Sequence, residues 1–202
     1  MQHAWVKREL PVDSGQQRLA FRLAVTGVLA IIAAMTVGPM FSPTEFSWVA
    51  HSTSEQAGQH LPGAWIMRSG FVAYGLGTLA AATLTWHRRS WVSAALALFG
   101  IGLVATAIWS NAPIVPDLPV DLHQDWLHSI ASAVVGTAFA AACAARLFLP
   151  GGQHRDRVAW CGLIISVLVP MAMGWLPELR GLLQRAMFAY SFLFVLREFR
   201  PG

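Results

Sequence analysis

From Trp91 to Trp109 the chain reads WVSAALALFGIGLVATAIW, an uncharged run with an indole at each end. An apolar run of this length predicts a helix that crosses a bilayer. About 20 residues rising ~1.5 Å each match a hydrocarbon core of about 30 Å. Five further stretches share this character on either side of it. The predicted spans are about 19–41, 65–86, 91–110, 125–148, 158–176 and 181–197. Strands are excluded because the runs lack two-residue alternation, and backbone groups in lipid must pair within the fold. The predicted fold is therefore all-α: a polytopic membrane protein built as a six-transmembrane-helix bundle over 19–197, with a segment at 1–18 before it and a tail at 198–202 after it.

Composition points the same way. The 202 residues are 55% hydrophobic and 12% charged, about half the charged fraction of soluble domains. Six spans leave no room for a separate soluble domain. The first stretch exceeds the roughly 7–15-residue apolar region of a signal peptide, so it reads as a retained span. Net charge is +4, but the arginines sit at span ends, where they meet headgroups. That excludes nucleic acid as a partner and leaves membrane lipids. Cys143 and Cys161 both fall inside spans, which argues against a disulfide framework, and no metal-type cysteine spacing exists.

Basic residues set the orientation, because short cytoplasmic loops retain Lys and Arg. With the N-terminus inside, Lys7, Arg8, Arg18, Arg22, Arg88, Arg89, Arg146, Arg155, Arg157, Arg197 and Arg200 all lie inside. Only Arg68, Arg180 and Arg185 lie outside. The expected location is the cell (inner) membrane, multi-pass, with both termini cytoplasmic. Trp48, Trp65, Trp109, Trp126 and Trp175 mark the outer boundary, and Trp86, Trp91 and Trp160 the inner one, as headgroup-level aromatic belts do. Gly70, Gly75, Gly77, Gly100, Gly102, Ser132 and Gly136 recur at spacings that let helix backbones approach in lipid. Pro170 removes a backbone donor and predicts a kink in the fifth span.

The outer loops hold the polar chemistry. The longest, 42–64, contains Ser42-Pro43-Thr44-Glu45 and Ser52-Thr53-Ser54-Glu55. Each fits a capping box, in which a serine caps the first turn and a glutamate three residues on returns a hydrogen bond. Two short amphipathic helices at the outer interface are predicted here. In the second outer loop Asp121 and Gln124 repeat the pattern, and Asp125 and His128 share a helical face. The third begins the last span with Gly181-Leu182-Leu183-Gln184-Arg185. Arg68, His128 and Arg185 thus lie at similar shallow depth on three helices. Charges there are expensive, so they face the bundle interior and find partners. The acids available are Glu55, Asp121, Asp125 and Glu178. Either these groups staple the outer ends together by ion pairs, or they form a site.

As a binding site the set is Arg68, His128, Arg185, Gln184, Glu55 and Asp125, with guanidinium groups able to grip an anionic headgroup or small ligand. As a catalytic site the candidates are Ser54, Glu55 and His128. No cofactor is called for. Imidazole and carboxylate at His51, His128 and Asp125 are ligand types that zinc takes, although nothing resembles HExxH. No GxSxG, phosphate loop or dinucleotide fingerprint is present.

His51-Ser52-Thr53-Ser54-Glu55, followed by Gly58, by Ala64-Trp65-Ile66-Met67-Arg68-Ser69-Gly70-Phe71 and by Tyr74-Gly75-Leu76, resembles the first signature of an uncharacterised bacterial membrane family, domain of unknown function 998. The resemblance extends to a histidine opening a later span (His128) and to a "GLxQR"-like start of the last span at Gly181–Arg185. It implies about six spans and a shared feature made of Ser54, Glu55, His128 and Arg185, and it brings no activity with it.

A binding or accessory role for an anionic headgroup or small ligand is favoured. The alternative is a membrane-embedded, metal-dependent hydrolase acting at the outer leaflet. A second alternative, a small transporter, lacks the mid-bilayer ionisable residues that ion pathways use. A structural role beside a lateral membrane partner, or in a homo-oligomer, would leave contacts within the bilayer.

Overall fold

The computed structural model describes residues 14–88 and 90–201; Lys7, Arg8 and Arg89 of the charge argument lie outside the described residues. Among these the protein is helical, with no strand. Six long helices run α1 (Ser14–Val37), α3 (Ala64–Leu84), α4 (Ser90–Ile108), α5 (Leu122–Phe148), α6 (Arg157–Trp175) and α7 (Arg180–Phe199). The one-turn α2 (Thr53–Gln56) and two 3₁₀ turns, Gly38–Phe41 and Pro177–Leu179, complete the order. Five helical segments are long and apolar enough to cross a membrane; α3 falls outside that set. Arg68, Tyr74 and three glycines dilute its apolar character. The chain is a multi-pass membrane protein. Large apolar side chains stand outward along the helices, from Leu29 on α1 to Ile101 on α4 and Met171 on α6.

The helices pack mainly on their sequence neighbours, and α7 returns to touch α1. Gln17 on α1 donates to the carbonyl of Arg200 at 3.0 Å, so the first helix starts where the last one ends. That end is called the base. The opposite end, the cap, carries residues 42–63, 109–121 and 176–179.

Packing is uneven. α1 and α3 touch along their length, and a Cβ on Gly77 would meet the carbonyl oxygen of Leu23 at 2.6 Å. α3 and α4 are as close: a Cβ on Gly75 would lie 2.6 Å from the carbonyl oxygen of Gly100, and one on Gly100 2.5 Å from that of Gly75. Only glycine permits backbones this near. At mid-depth the Tyr74 hydroxyl meets the Ser191 hydroxyl at 3.0 Å, inside a cluster where Tyr74 is edge-on to Phe99 and Phe192.

α6 differs from the rest. Its buried residues are Ala159 and Gly162 alone, both near the base. Asp156 caps its first turn, accepting from the N–H groups of Val158 (3.1 Å) and Ala159 (3.2 Å). The same carboxylate pairs with Arg146 of α5 at 2.9 Å and Arg197 of α7 at 2.6 Å. Arg146 also faces Glu198 at 3.7 Å and donates to Gln153. The Tyr190 hydroxyl donates to the carbonyl of Val158. α6 is therefore pinned at its foot. Its upper half, running through Pro170 without a break, stands away from the bundle. Cys143 is buried on α5 and Cys161 exposed on α6, both free thiols.

The two short amphipathic helices predicted in the first loop reduce to one turn. At Ser52 the capping box forms: Glu55 N–H donates to the serine oxygen at 3.1 Å, and Ser52 N–H donates to the glutamate at 2.6 Å. At Ser42 it does not, because the hydroxyl turns back to the Gly38 carbonyl and Glu45 bonds Thr44 instead. Nor does α2 lie free on the surface. Thr53 and Gln56 are buried, so the turn is a plug pressed between α1 and α7.

Candidate functional site

The first loop is held down by the start of α7, residue by residue. Gly181 comes first. A side chain there would collide with the carbonyl oxygens of His51 and Trp48, so glycine lets the loop cross the helix. Leu182 N–H, one of the first-turn donors a helix cannot satisfy itself, donates to Val49 O at 3.0 Å. Gln184 Oε1 accepts from both the N–H (2.7 Å) and the hydroxyl (2.6 Å) of Thr53. Arg185 Nη1 shares its hydrogens among the carbonyls of Trp48 (2.8 Å), His51 (2.9 Å) and Gly181 (3.0 Å). Its guanidinium stacks 4.6 Å from the Trp48 ring centre. Arg180 adds a half-exposed ion pair to Glu55 at 3.1 Å. The two short motifs read separately in the sequence are therefore halves of one clamp.

Arg68 acts from α3 on the same loop. Its Nε donates to Ala57 O and its Nη2 to Gly58 O, both at 2.9 Å. These carbonyls follow the last residue of α2, where a one-turn helix leaves them unpaired. The second loop is joined through Gln59. Its Nε2 donates to the carbonyls of Ser110 (2.9 Å) and Asp121 (3.0 Å), and its Oε1 accepts from Asp121 N–H at 2.7 Å. Asp121 caps α5 by accepting from His123 and Gln124 N–H, and the Gln124 N–H holds its carboxyl below the usual range. Asp125 Oδ1 accepts from Ala112 N–H at 2.7 Å.

His128 is 2% exposed and sits 2.8 Å from Trp109 O through Nδ1. A carbonyl only accepts, so Nδ1 carries a proton, while Nε2 is buried without a partner among the described residues. His128 and Arg185 share no contact. They are fastened to different stretches of the cap, which the first loop links through Gln56 and Gln59.

The candidates divide accordingly. Arg68, Arg185, Glu55 and Gln184 converge on the first loop, while Asp125 and His128 hold the second. The zinc set does not gather. His51 Nδ1 accepts from Ser47 N–H, Asp125 and His128 are engaged as described, and no three His, Cys, Asp or Glu side chains assemble for a metal among the described residues. The groups expected to pair with acids, Arg68, His128 and Arg185, bond backbone carbonyls instead; the ion pair to Glu55 comes from Arg180, which stood outside that set. Thr53, Gln56 and Gln59 went unread in the sequence, although a buried amide three residues from another in a capped loop is a legible signal. The buried Asp156 cluster at the base was missed too, despite an aspartate just ahead of an apolar run.

Directly beneath the clamp lies a cavity of about 430 Å³, walled by α3 to α7. Ser54 and Gln184 close its upper end, and Thr106, Ser132, Thr137 and Ser166 dot a lining otherwise formed by Val135, Gly136, Met187, Phe188 and similar residues. No charged side chain lines it. A Cβ on Gly136 would meet nothing within 4 Å, so this glycine borders space and packs no neighbouring helix. Pro170, also in the wall, has no N–H to give the Ser166 carbonyl one turn below. A smaller cavity continues deeper past Phe99 and Phe139.

No curated protein and no solved structure matches the chain. The family model described as a protein of unknown function (DUF998) matches residues 19–196, from the first apolar helix to the end of the last, and takes in both halves of the clamp; the chain belongs to that family.

Proposed function

We propose that this is a six-span membrane protein, with α3 as the sixth crossing helix and the cap on the outer side, that binds an amphipathic molecule in the cavity between α4, α5, α6 and α7. Burial of α3 among α1, α4 and α7 accounts for its lower hydropathy, since its neighbours shield it from lipid. The asymmetry of basic residues supports the orientation.

The cavity carries the binding reading. Its volume falls within the roughly 300–1,000 Å³ of small-molecule sites, and its lining has their character, apolar with a few placed polar groups. The clamp seals it from the outer aqueous side, so entry is lateral, past the upper half of α6. In this reading Arg68, Arg185 and Glu55 hold the roof, His128 and Asp125 hold the second loop beside it, and Ser54 and Gln184 meet the ligand. An anionic headgroup is disfavoured, because the guanidinium groups beside the cavity already bond carbonyls or Glu55. Hydrolysis is disfavoured as well: among the described residues no imidazole or carboxylate hydrogen-bonds Ser54, and a serine nucleophile needs such a base.

Lipid extraction and native mass spectrometry of the purified protein test the reading. The wild type should retain about one lipid-like molecule per chain. Gly136→Phe, which fills space without meeting backbone, should fold and lose it. Equal retention by the two proteins would place the ligand elsewhere.

A further inference from the structure

We propose that the cavity takes a lipid acyl ester, whose carbonyl oxygen is read by the Gln184 amide N–H₂. This rests on the cavity being the binding site.

The Gln184 carboxamide has only one orientation compatible with its surroundings. Thr53 N–H lies 2.7 Å from it, and a backbone N–H can only donate. The corner facing Thr53 must therefore be oxygen, and the Thr53 hydroxyl at 2.6 Å donates to the same atom. Nε2, with two hydrogens, has no hydrogen-bond partner among the described residues and belongs to a residue that closes the upper end of the cavity. Ser54, the next residue after Thr53, lines the same end, and its hydroxyl also has no hydrogen-bond partner among the described residues. The roof thus offers donors, which select an acceptor on the ligand.

Charge narrows the class. The lining carries no cation, and the nearby guanidinium groups of Arg68, Arg180 and Arg185 are engaged elsewhere. A carboxylate or phosphate would enter without a counter-charge in low dielectric, which is costly; a neutral carbonyl would not. Depth agrees. Gln184 lies one turn inside α7; with α7 as a crossing helix, that sets it near the edge of the hydrocarbon core, beside the headgroup region. Below it, Val135, Met187 and Phe188 form an apolar path for the chain, continued by the deeper cavity.

The test uses the full chain in nanodiscs of ether-linked phospholipid, which contribute no ester. Three probes of equal chain length compete with a fluorescent acyl ester: a fatty acid methyl ester, the corresponding alkyl methyl ether, and the fatty acid anion. The ester should bind about three- to tenfold tighter than the ether, the worth of one neutral hydrogen bond, and tighter than the anion. Gln184→Glu still accepts from Thr53 but faces the ester with an acceptor, and should abolish the ester preference. Protease resistance of residues 42–63 confirms that the cap stays seated. If it does not, Ser54→Ala replaces this variant and should lower the preference about twofold, in keeping with the weaker half of that hydrogen-bond range. Equal binding of ester and ether, tightest binding of the anion, or an ester preference that survives the substitution overturns the proposal while leaving the cavity as a site. Undiminished binding of all probes by Gly136→Phe, or no binding by the wild type, overturns the cavity reading and this proposal with it.

Discussion

Gly75 and Gly100 face each other across α3 and α4 with backbone in contact, whereas Gly136 on α5 faces open space. The same residue type serves closure in one half of the bundle and vacancy in the other. In the α1–α3–α4 half, small residues bring helices together until nothing more fits. In the α5–α6–α7 half, they widen a gap that α6 covers without filling. The difference lies in how α6 is fastened. It is bound at its foot by Asp156, Tyr190 and two small buried residues, and little holds it above. Lipid-exposed helices gain nothing from burying apolar surface against each other, because lipid tails are equally apolar. A helix without small residues or polar ties on its inner face is therefore free to stand off.

Asp156→Ala should break this contrast most severely. It strips the α6 cap and leaves Arg146 buried without its main counter-charge, a loss of about 3–5 kcal/mol. Chemical unfolding in detergent should show it, together with new cysteine accessibility at Cys143 beside the α6 foot. Close behind is Gly100→Val, whose side chain would press into the carbonyl of Gly75. It should cost roughly 3 kcal/mol by overpacking, while Gly136→Val stays within about 0.5 kcal/mol of wild type, as substitutions without a named steric conflict do. Equal losses at the two glycines would erase the distinction between the halves.

Arg185→Ala tests whether the roof is separable from both halves. Three carbonyls lose one donor, and the expected cost is about 2 kcal/mol, bounded by the value of charged hydrogen bonds and their non-additivity. Hydrogen exchange should rise across residues 46–57 and stay unchanged in α3 and α4. The smallest effect belongs to Asp121. Hydrogen bonds from Gln124 and His123 depress its carboxyl, so the stabilisation it gives is present above the unfolded-state value and is lost as pH falls through the lower folded-state one. Amide exchange at His123 and Gln124 should accelerate only below about pH 4. Asp121→Asn should blunt that acid response while barely altering exchange at neutral pH, since asparagine caps as well.

Much of this architecture was legible because the cues were local. Uncharged runs between tryptophans locate helices, and Ser52 with Glu55 announces a capped turn. That Arg68 and Arg185 take partners was readable too, since charges at that depth need them. What they bond was not. A reading by charge sends guanidinium groups to carboxylates. The loop, however, carries orphan carbonyls nearer to hand, and these come from backbone, which leaves no trace in residue identity. The cavity was hidden for a related reason. Ser132 and Gly136 have the spacing of a packing seam, and sequence spacing says that a neighbour is able to approach, without saying that one does. Gln184 was read only as one member of a binding set; its fixed amide orientation depends on Thr53, 131 residues away.

That separation has a bearing on biosynthesis. The carbonyls of Trp48 and His51 emerge from the ribosome well over a hundred residues before the guanidinium that receives them, at separations of 137 and 134. Until α7 has been synthesised, the first loop has no fastening on that side. Arrival of α7 and fastening of the cap are thus a single event, and a translation product interrupted before α7 carries an unfastened loop open to quality-control proteases.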